Sequence, residues 1–224
     1  MQSPLKKAGL VLLTAAATGL AASPGTTAQS TYSVGAFATI HLESGGEVIV
    51  RHGSTQKVTL VKGRNECTRV TVDDGELLIE GPHRQCPGKG EEVVIEVQTP
   101  AIEKLEVSDG GTLRTQGSFP AQEKLLGMVE NGGRLDMRSL NAKAVRAGVR
   151  QGGGILTKPT VSLQARIEQG GMITYWGKPE VESRVEHGGA VTRGNPEDLN
   201  KPIEKIEIGV HPLPPVPPVP PIGG

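Results

Sequence analysis

The side chains that most often carry catalysis or bind metals are scattered along this chain of 224 residues. The sequence contains no nucleophile elbow, phosphate-binding loop, zinc-protease motif or dinucleotide-binding fingerprint. Neighbouring acids such as Asp73 and Asp74 would point to opposite faces of a strand or to solvent, rather than flank a scissile bond. The five histidines, which lack the paired spacing of metal ligands, are His41, His52, His83, His187 and His211. We therefore predict no catalytic residue, no metal site and no cofactor.

The N-terminal segment 1–28 has the pattern of a signal peptide. Lys6 and Lys7 form a basic start, an apolar stretch runs from Ala8 to Ala22, and small residues end at Ala28. The alternatives are a buried N-terminal helix or a short membrane anchor, but the stretch is too short to span a bilayer. We expect an exported protein, in the periplasm or at the cell surface.

Export would decide the oxidation state expected for Cys67 and Cys86, the two cysteines of the chain. In an oxidising compartment the simple expectation is one structural disulfide between them. Two independent buried thiols are the alternative. A redox-active site or a zinc site has less support, because zinc would need two more ligands at a suitable spacing.

Charge and hydropathy argue against a nucleic-acid partner and against a transmembrane segment. The chain has 24 basic and 24 acidic residues and no basic stripe with interleaved aromatics, so the sequence gives no support for nucleic-acid binding. The mature chain has no apolar run long enough for a transmembrane segment.

A Gly-Gly doublet recurs in the second half of the chain at nearly regular intervals, which indicates an internal repeat. The doublets are Gly110-Gly111, Gly132-Gly133, Gly152-Gly153, Gly170-Gly171 and Gly188-Gly189. The polar residues directly before them, here called the polar column, are Asp109, Asn131, Gln151, Gln169 and His187. Branched apolar residues lie two positions before the polar column and two after each doublet, from Val107 and Leu113 onward.

This alternation predicts an all-β fold, because apolar residues at every second position give each strand one buried face. Units of about 20 residues are too short for a strand, a crossover helix and a second strand. We expect a right-handed, single-stranded parallel β-helix with three short strands in each coil and glycines at the corners. An antiparallel sandwich or barrel is the alternative.

The polar column is the most unusual feature of the repeat. By parity it shares the buried face with Val107 and Leu113, unless the corner turns it outward. If it points inward, stacked side chains would satisfy backbone groups left unpaired at the corners. A ligand groove along the column is the second possibility.

The composition suggests three regions after the leader. Residues 29–194 are expected to form the β-helix domain, in which residues 33–107 supply hairpin-like N-terminal strands and a cap and residues 108–194 supply the Gly-Gly coils. Whether residues 33–107 form a separate unit stays open. Residues 195–224 are rich in proline and are expected to be a disordered tail.

Several outer residues are candidates for a binding surface. Tyr175 and Trp176 form the one adjacent aromatic pair, and they could stack on a sugar or a partner if half-exposed. Packing is the other interpretation of this pair. Arg134 and Arg150, close to the doublets, are further candidates.

The segments Tyr175-Trp176-Gly177-Lys178-Pro179 and His187-Gly188-Gly189, together with the earlier doublets, resemble a bacterial family called the "putative auto-transporter adhesin, head GIN domain". The resemblance covers about residues 34–194. It implies an exported, largely β protein with a right-handed β-helix and no established catalytic residues. It supplies no functional residues to carry over.

These observations favour a non-catalytic cell-envelope protein whose rigid surface binds an envelope protein or a glycan. The first alternative is a polysaccharide-active enzyme, an idea that rests on fold analogy alone. The second is a structural subunit that self-associates through the ends of its solenoid.

Overall fold

The computed structural model describes residues 29–82 and 92–206. The predicted leader, Cys86 and the prolines from Pro212 onward lie outside these ranges. The prediction of an all-β fold is confirmed, since the described residues form strands and three short 3-10 turns. No helix among them is long and apolar enough to cross a membrane.

The strands form two sheets. In chain order they are β1 (Ser30–Tyr32), β2 (Thr39–Glu43), β3 (Glu47–His52), β4 (Lys57–Lys62), β5 (Arg69–Asp73), β6 (Glu76–Glu80), β7 (Val94–Thr99), β8 (Lys104–Ser108), β9 (Thr112–Gln116), β10 (Gln122–Glu130), β11 (Arg134–Asp136), β12 (Ala142–Gln151), β13 (Gly154–Thr157), β14 (Ser162–Gln169), β15 (Met172–Tyr175), β16 (Glu180–His187) and β17 (Ala190–Arg193). The 3-10 turns are Asn65–Cys67, Pro196–Asp198 and Ile203–Lys205.

The eight-stranded sheet has the order β16-β14-β12-β10-β8-β2-β6-β5, and the nine-stranded sheet has the order β1-β4-β7-β3-β9-β11-β13-β15-β17. Both sheets are open and mixed. Pairing is antiparallel for β1 with β4, β4 with β7 and β5 with β6, and parallel elsewhere. The two sheets share one buried cluster, so the molecule has the two facing layers of the sandwich alternative.

Within the Gly-Gly region each repeat contributes one strand to each sheet, so the expected three strands per coil are wrong. The strands before the doublets, such as β12 and β14, run for ten and eight residues and leave no room for a third strand. The predicted apolar columns are in register. One column joins Val107, Val129, Val149, Ile167 and Val185 in the eight-stranded sheet. The other joins Leu113, Leu135, Ile155, Ile173 and Val191 in the nine-stranded sheet.

The N-terminal segment contains a further doublet of the same kind, Gly45-Gly46, which lies outside the regular spacing of the other five. Ser44, Gly45 and Gly46 all have positive φ, like Asn131 and its doublet, and connect β2 to β3. These two strands lie between β8–β9 and β6–β7, so the stack does not follow chain order. Hairpin pairing, expected throughout this segment, holds for β5 and β6, whereas β2 and β3 pair in parallel with both their neighbours.

A second, smaller apolar cluster lies on the outer side of the nine-stranded sheet. Leu156 and Trp176 are covered there by Ile203 and Ile206, which are buried. Residues 195–206, here called the C-terminal strap, therefore pack against the sheet. A disordered tail was expected to begin at residue 195, but the packed part of the chain extends to residue 206.

Candidate functional site

The polar column is exposed to solvent, so the expectation that it lies buried in the core is wrong. Asp109, Asn131, Gln151, Gln169 and His187 are all exposed. Positive φ at Asp109 and Asn131 breaks the two-residue alternation at these two corners. Gln151, Gln169 and His187 are instead the last residues of β12, β14 and β16, and they are exposed at the strand ends. The amide of Asn131 donates to a carboxylate oxygen of Asp109 at 2.9 Å, so part of the column still forms a ladder.

The aromatic pair is split between two environments. Trp176 is only 3% exposed, and its indole N–H donates to the carbonyl oxygen of Asn195 at 2.8 Å. Tyr175 is half-buried, with the guanidinium carbon of Arg193 6.0 Å from its ring centroid. The packing interpretation therefore holds for Trp176, and the pair does not form one exposed stacking platform.

Arg138 holds the C-terminal strap against the sheet. Its guanidinium donates to both carboxylate oxygens of Asp136, at 2.9 and 2.6 Å. It also donates to the carbonyl oxygens of Asp198, Leu199 and Lys201 at 2.8 to 2.9 Å. The guanidinium carbon is 5.4 Å from the centroid of the Trp176 ring. The buried ion pair between Arg138 and Asp136 is therefore explained by its structural role in holding the strap.

A serine, a histidine and a carboxylate meet on the eight-stranded sheet, which the sequence did not reveal. The ring Nε2 of His41 lies 2.6 Å from Ser108 Oγ, and Nδ1 lies 3.4 Å from a carboxylate oxygen of Glu76. The cross-strand neighbours of Ser108 are Glu43 and Glu130. Two carboxylates beside the hydroxyl would disfavour the oxyanion that acyl transfer requires. We assign this chain of contacts to strand pairing rather than catalysis.

The outward-facing positions of β10, β12, β14 and β16, here called the outer face, carry alternating arginines and glutamates. Ion pairs join Arg150 to Glu130 (2.6 Å) and Glu168 (3.8 Å), Arg166 to Glu168 (3.4 Å) and Glu186 (3.0 Å), and Arg184 to Glu186 (3.1 Å). The hydrogen bond to Glu130, followed by its charge, raises the pKa of Arg150. Exposed pairs of this kind add little stability, but they fix the positions of charges on a surface.

A groove of about 380 Å³ interrupts these charged rows. The groove lies at Gly148, because this residue has no side chain to fill the space above the strand. Met128, which is opposite Gly148 on the neighbouring strand, fills part of that space. A Cβ at Gly148 would be 2.7 Å from the Met128 sulfur. Leu126 and Met128 line the groove together with Arg146. The groove therefore combines an aliphatic floor with a charged rim, and its size suits a small ligand or one protein side chain.

Arg146 is hydrogen-bonded to a neutral amide, whereas the other arginines of the outer face are paired with glutamates. Its Nε donates to the amide oxygen of Gln164 at 2.7 Å, and the Gln164 amide donates to Glu182 at 3.2 Å. The guanidinium is thus bonded to a neutral group. Of the two arginines singled out from the sequence, Arg150 lines this groove, whereas Arg134 lies beside the glycine doublets at the start of β11.

Among the residues that the structure describes, no three histidine, cysteine or acidic side chains come together in a way that could hold a metal ion. Cys67 is fully buried at the end of its 3-10 turn, and Cys86 lies outside the described ranges. The Cys67–Cys86 disulfide stays a prediction.

Residues 36–132 match the model of the family described as "Putative auto-transporter adhesin, head GIN domain". The family resemblance is confirmed. The match spans β2 to β10, including the doublet Gly45-Gly46, and contains Leu126 and Met128 of the groove. The later segments around Trp176 and His187, which also resemble this adhesin family, lie outside the matched range.

Solved structures with the same kind of description resemble the chain at low identity. A putative adhesin from Bacteroides fragilis is 17% identical, with a TM-score of 0.41, and the alignment covers 74% of this chain and 96% of that one. A putative adhesin from Parabacteroides merdae is 13% identical (TM-score 0.34, covering 75% and 96%). A putative cell adhesion protein from Clostridium sporogenes is 14% identical (TM-score 0.31, covering 74% and 98%). No curated protein matches the chain.

Proposed function

We propose that the protein is exported to the cell envelope and acts there as a non-catalytic adhesion protein. Two observations support this proposal: the leader-like residues 1–28 and the match to a family described as adhesins. The observation that carries it is the groove at Gly148, an aliphatic depression in an outer face where Arg150, Arg166 and Arg184 are held in ion pairs with glutamates.

We also infer that the Gly-Gly region is a right-handed solenoid in which each repeat adds one coil of two strands. Parallel pairing of each strand with the strand two positions further along the chain supports this, as do the two continuous apolar columns. Such a stack would hold the outer face rigid, which lowers the conformational entropy lost on binding.

The chemistry of the groove favours a protein partner. Leu126 and Met128 offer aliphatic surface, and methionine adapts its shape to varied partners. Arg146 can form a bidentate pair with a carboxylate, because its present partner is a neutral amide. The described residues that line the groove include no aromatic ring for stacking on a sugar. The partner is therefore a protein that presents an apolar side chain next to an acidic one.

Two variants of the groove test this assignment. Gly148→Leu fills the groove, and Arg146→Glu reverses the charge at its rim. We expect each to weaken binding of the labelled protein to cell-envelope preparations about tenfold or more, the range of a well-packed contact residue. Arg51→Glu is the matched control, because Arg51 forms an exposed ion pair with Glu96 in the other sheet. Equal losses in all three variants, or none, would refute the groove as the binding site.

The class of partner is tested by treating the envelope preparation first. Protease treatment should abolish binding, whereas periodate oxidation of glycans should leave it unchanged. The opposite result would identify a glycan. Turnover of an acidic polysaccharide that disappears on substitution of one acid of the outer face would instead establish the enzyme alternative.

A further inference from the structure

The last repeat leaves one end of the core open. Val181, Ser183 and Val185 continue the register columns of Leu163, Ala165 and Ile167, which are buried. Val185 is nevertheless 42% exposed, and β16 is the last strand of its sheet among residues 29–82 and 92–206. Inward-facing apolar side chains of β16 are therefore only half covered by the described residues.

The backbone of β16 is equally uncovered. This strand is eight residues long, and along its outer edge the N–H and C=O groups face no other strand in the described part of the chain. Long edge strands with apolar side chains readily pair with a strand from another molecule. The opposite end of the eight-stranded sheet is different, because β5 has five residues and pairs antiparallel with β6.

We propose that β16 pairs antiparallel with β16 of a second copy, about a two-fold axis through Ser183. In antiparallel pairing, residues directly opposite each other lie on the same face of the sheet. This register places Val181 opposite Val185 of the second copy on the buried face. On the outer face it places Glu182 opposite Arg184 of the second copy. The symmetry forms each pair twice, as in other isologous interfaces.

Other registers cover less of the strand or place like charges opposite each other. An axis through Val185 would place Arg184 opposite Glu186 of the second copy, but only residues 183–187 would pair and Val181 would stay uncovered. An axis through Arg184 would place this arginine opposite its own copy and Glu182 opposite Glu186 of the second copy, both of which are repulsive. The Ser183 register does bring Glu180 opposite Glu186 of the second copy. That repulsion is offset because Glu186 is already paired with Arg166 and Arg184, at 3.0 and 3.1 Å.

The dimer extends the sheet and leaves its outer face free. Glu182 and Arg184 also line the groove, so two grooves would lie on one continuous surface, on either side of the axis. Two linked sites increase the apparent affinity for a surface that carries many copies of a partner. The dimer itself is independent of the adhesion proposal, since it depends on β16 alone.

A charge exchange tests the register. Sedimentation equilibrium of the protein from Gln29 onward should give the mass of two chains. Arg184→Glu or Glu182→Arg alone places like charges opposite each other at two positions and should weaken the dimer about tenfold, given typical cross-strand energies. The double variant Glu182→Arg with Arg184→Glu should restore it. A monomer at all concentrations, or a dimer insensitive to the single variants, would overturn the proposal.

Cysteine cross-linking tests the axis itself. In Ser183→Cys the two introduced thiols face each other within reach of a disulfide, so oxidation should yield covalent dimers. Arg184→Cys is the matched control on the same strand and should not cross-link, whereas cross-linking there instead of at residue 183 would refute the register. The same measurements on a chain that ends at Ile206 complete the test. Dimers that form only after this truncation would show that the chain's own C-terminal segment occupies the edge, and the proposal would be wrong.

Discussion

Gly153 lies against the carbonyl oxygen of Gly133 in the preceding turn, so close that a Cβ on Gly153 would be 2.6 Å from that oxygen. The N–H of Gly154 donates to the same oxygen at 3.0 Å. The first glycine of the doublet is different, since a Cβ on Gly152 would have nothing within 4 Å. The second glycine of a doublet therefore allows successive turns to stack, and the first supplies only backbone freedom.

This difference predicts unequal effects of alanine within one doublet. Both glycines have positive φ, 72° at Gly152 and 90° at Gly153, and a left-handed conformation costs alanine roughly 1–2 kcal/mol. Gly152→Ala should lower the free energy of unfolding by about that amount, whereas Gly153→Ala should lower it at least twice as much. Urea unfolding followed by Trp176 fluorescence measures both. Gly152→Asn is the control and should cost less than alanine. Equal losses for the two alanine variants would mean that close packing of the turns is unimportant.

The repeat could be recognised from sequence because its period is local. Each doublet carries its own flanking aliphatic residues, so Leu135 and Ile155 could be assigned to one column without knowledge of the whole fold. Ser44-Gly45-Gly46 has the same flanks, Leu42 and Val48, but the long stretch of sequence between Gly45 and Gly110 breaks the period and hides the relation. That β2 and β3 lie between later strands is a consequence of long-range pairing, which no short pattern records.

The candidate site was less predictable than the fold. The groove exists because Gly148 lacks a side chain while Met128 on the neighbouring strand bends over it, a relation that depends on register. Alternation misplaces the polar column in the core because it fails at Asp109 and Asn131, which have positive φ, and because it does not show that Gln151 is the last residue of its strand and lies at the margin of the sheet. The alternation of arginine and glutamate at outward positions, visible at Arg166 and Glu168, was the available signal for the outer face.

Arg138 should be among the residues most sensitive to substitution. The side chains of Arg138 and Asp136 are only 9% and 10% exposed, so Arg138→Ala leaves a carboxylate without its partner in a site nearly closed to water. Loss of one member of a buried pair typically costs about 3 kcal/mol or more. Lysine should not rescue it, because an ammonium has three donors on one nitrogen and cannot replace the five hydrogen bonds of the Arg138 guanidinium.

The fluorescence of Trp176 reports whether the strap is released. Trp176 is the single tryptophan, and both Arg138 and the strap contact it. In Arg138→Ala its emission should shift to longer wavelength under native conditions as water gains access. Arg51→Ala is the control, because its ion pair with Glu96 is exposed and should contribute less than about 1 kcal/mol. An Arg138→Ala protein with the emission and stability of the wild type would show that the strap is held by its apolar contacts alone.

The predicted Cys67–Cys86 disulfide can be distinguished from two separate thiols by comparing single and double serine variants. A disulfide closing a loop of this length stabilises by roughly 3 kcal/mol in the chain-entropy model. Cys67→Ser and Cys86→Ser should therefore each lose about that much, and the double variant should lose little more, because either substitution alone already opens the loop. Separate thiols predict additive losses dominated by Cys67, which is fully buried. Denaturant unfolding measures all three variants, and thiol labelling of the unfolded wild type without reductant gives an independent answer, since incorporation of two labels would exclude the bond.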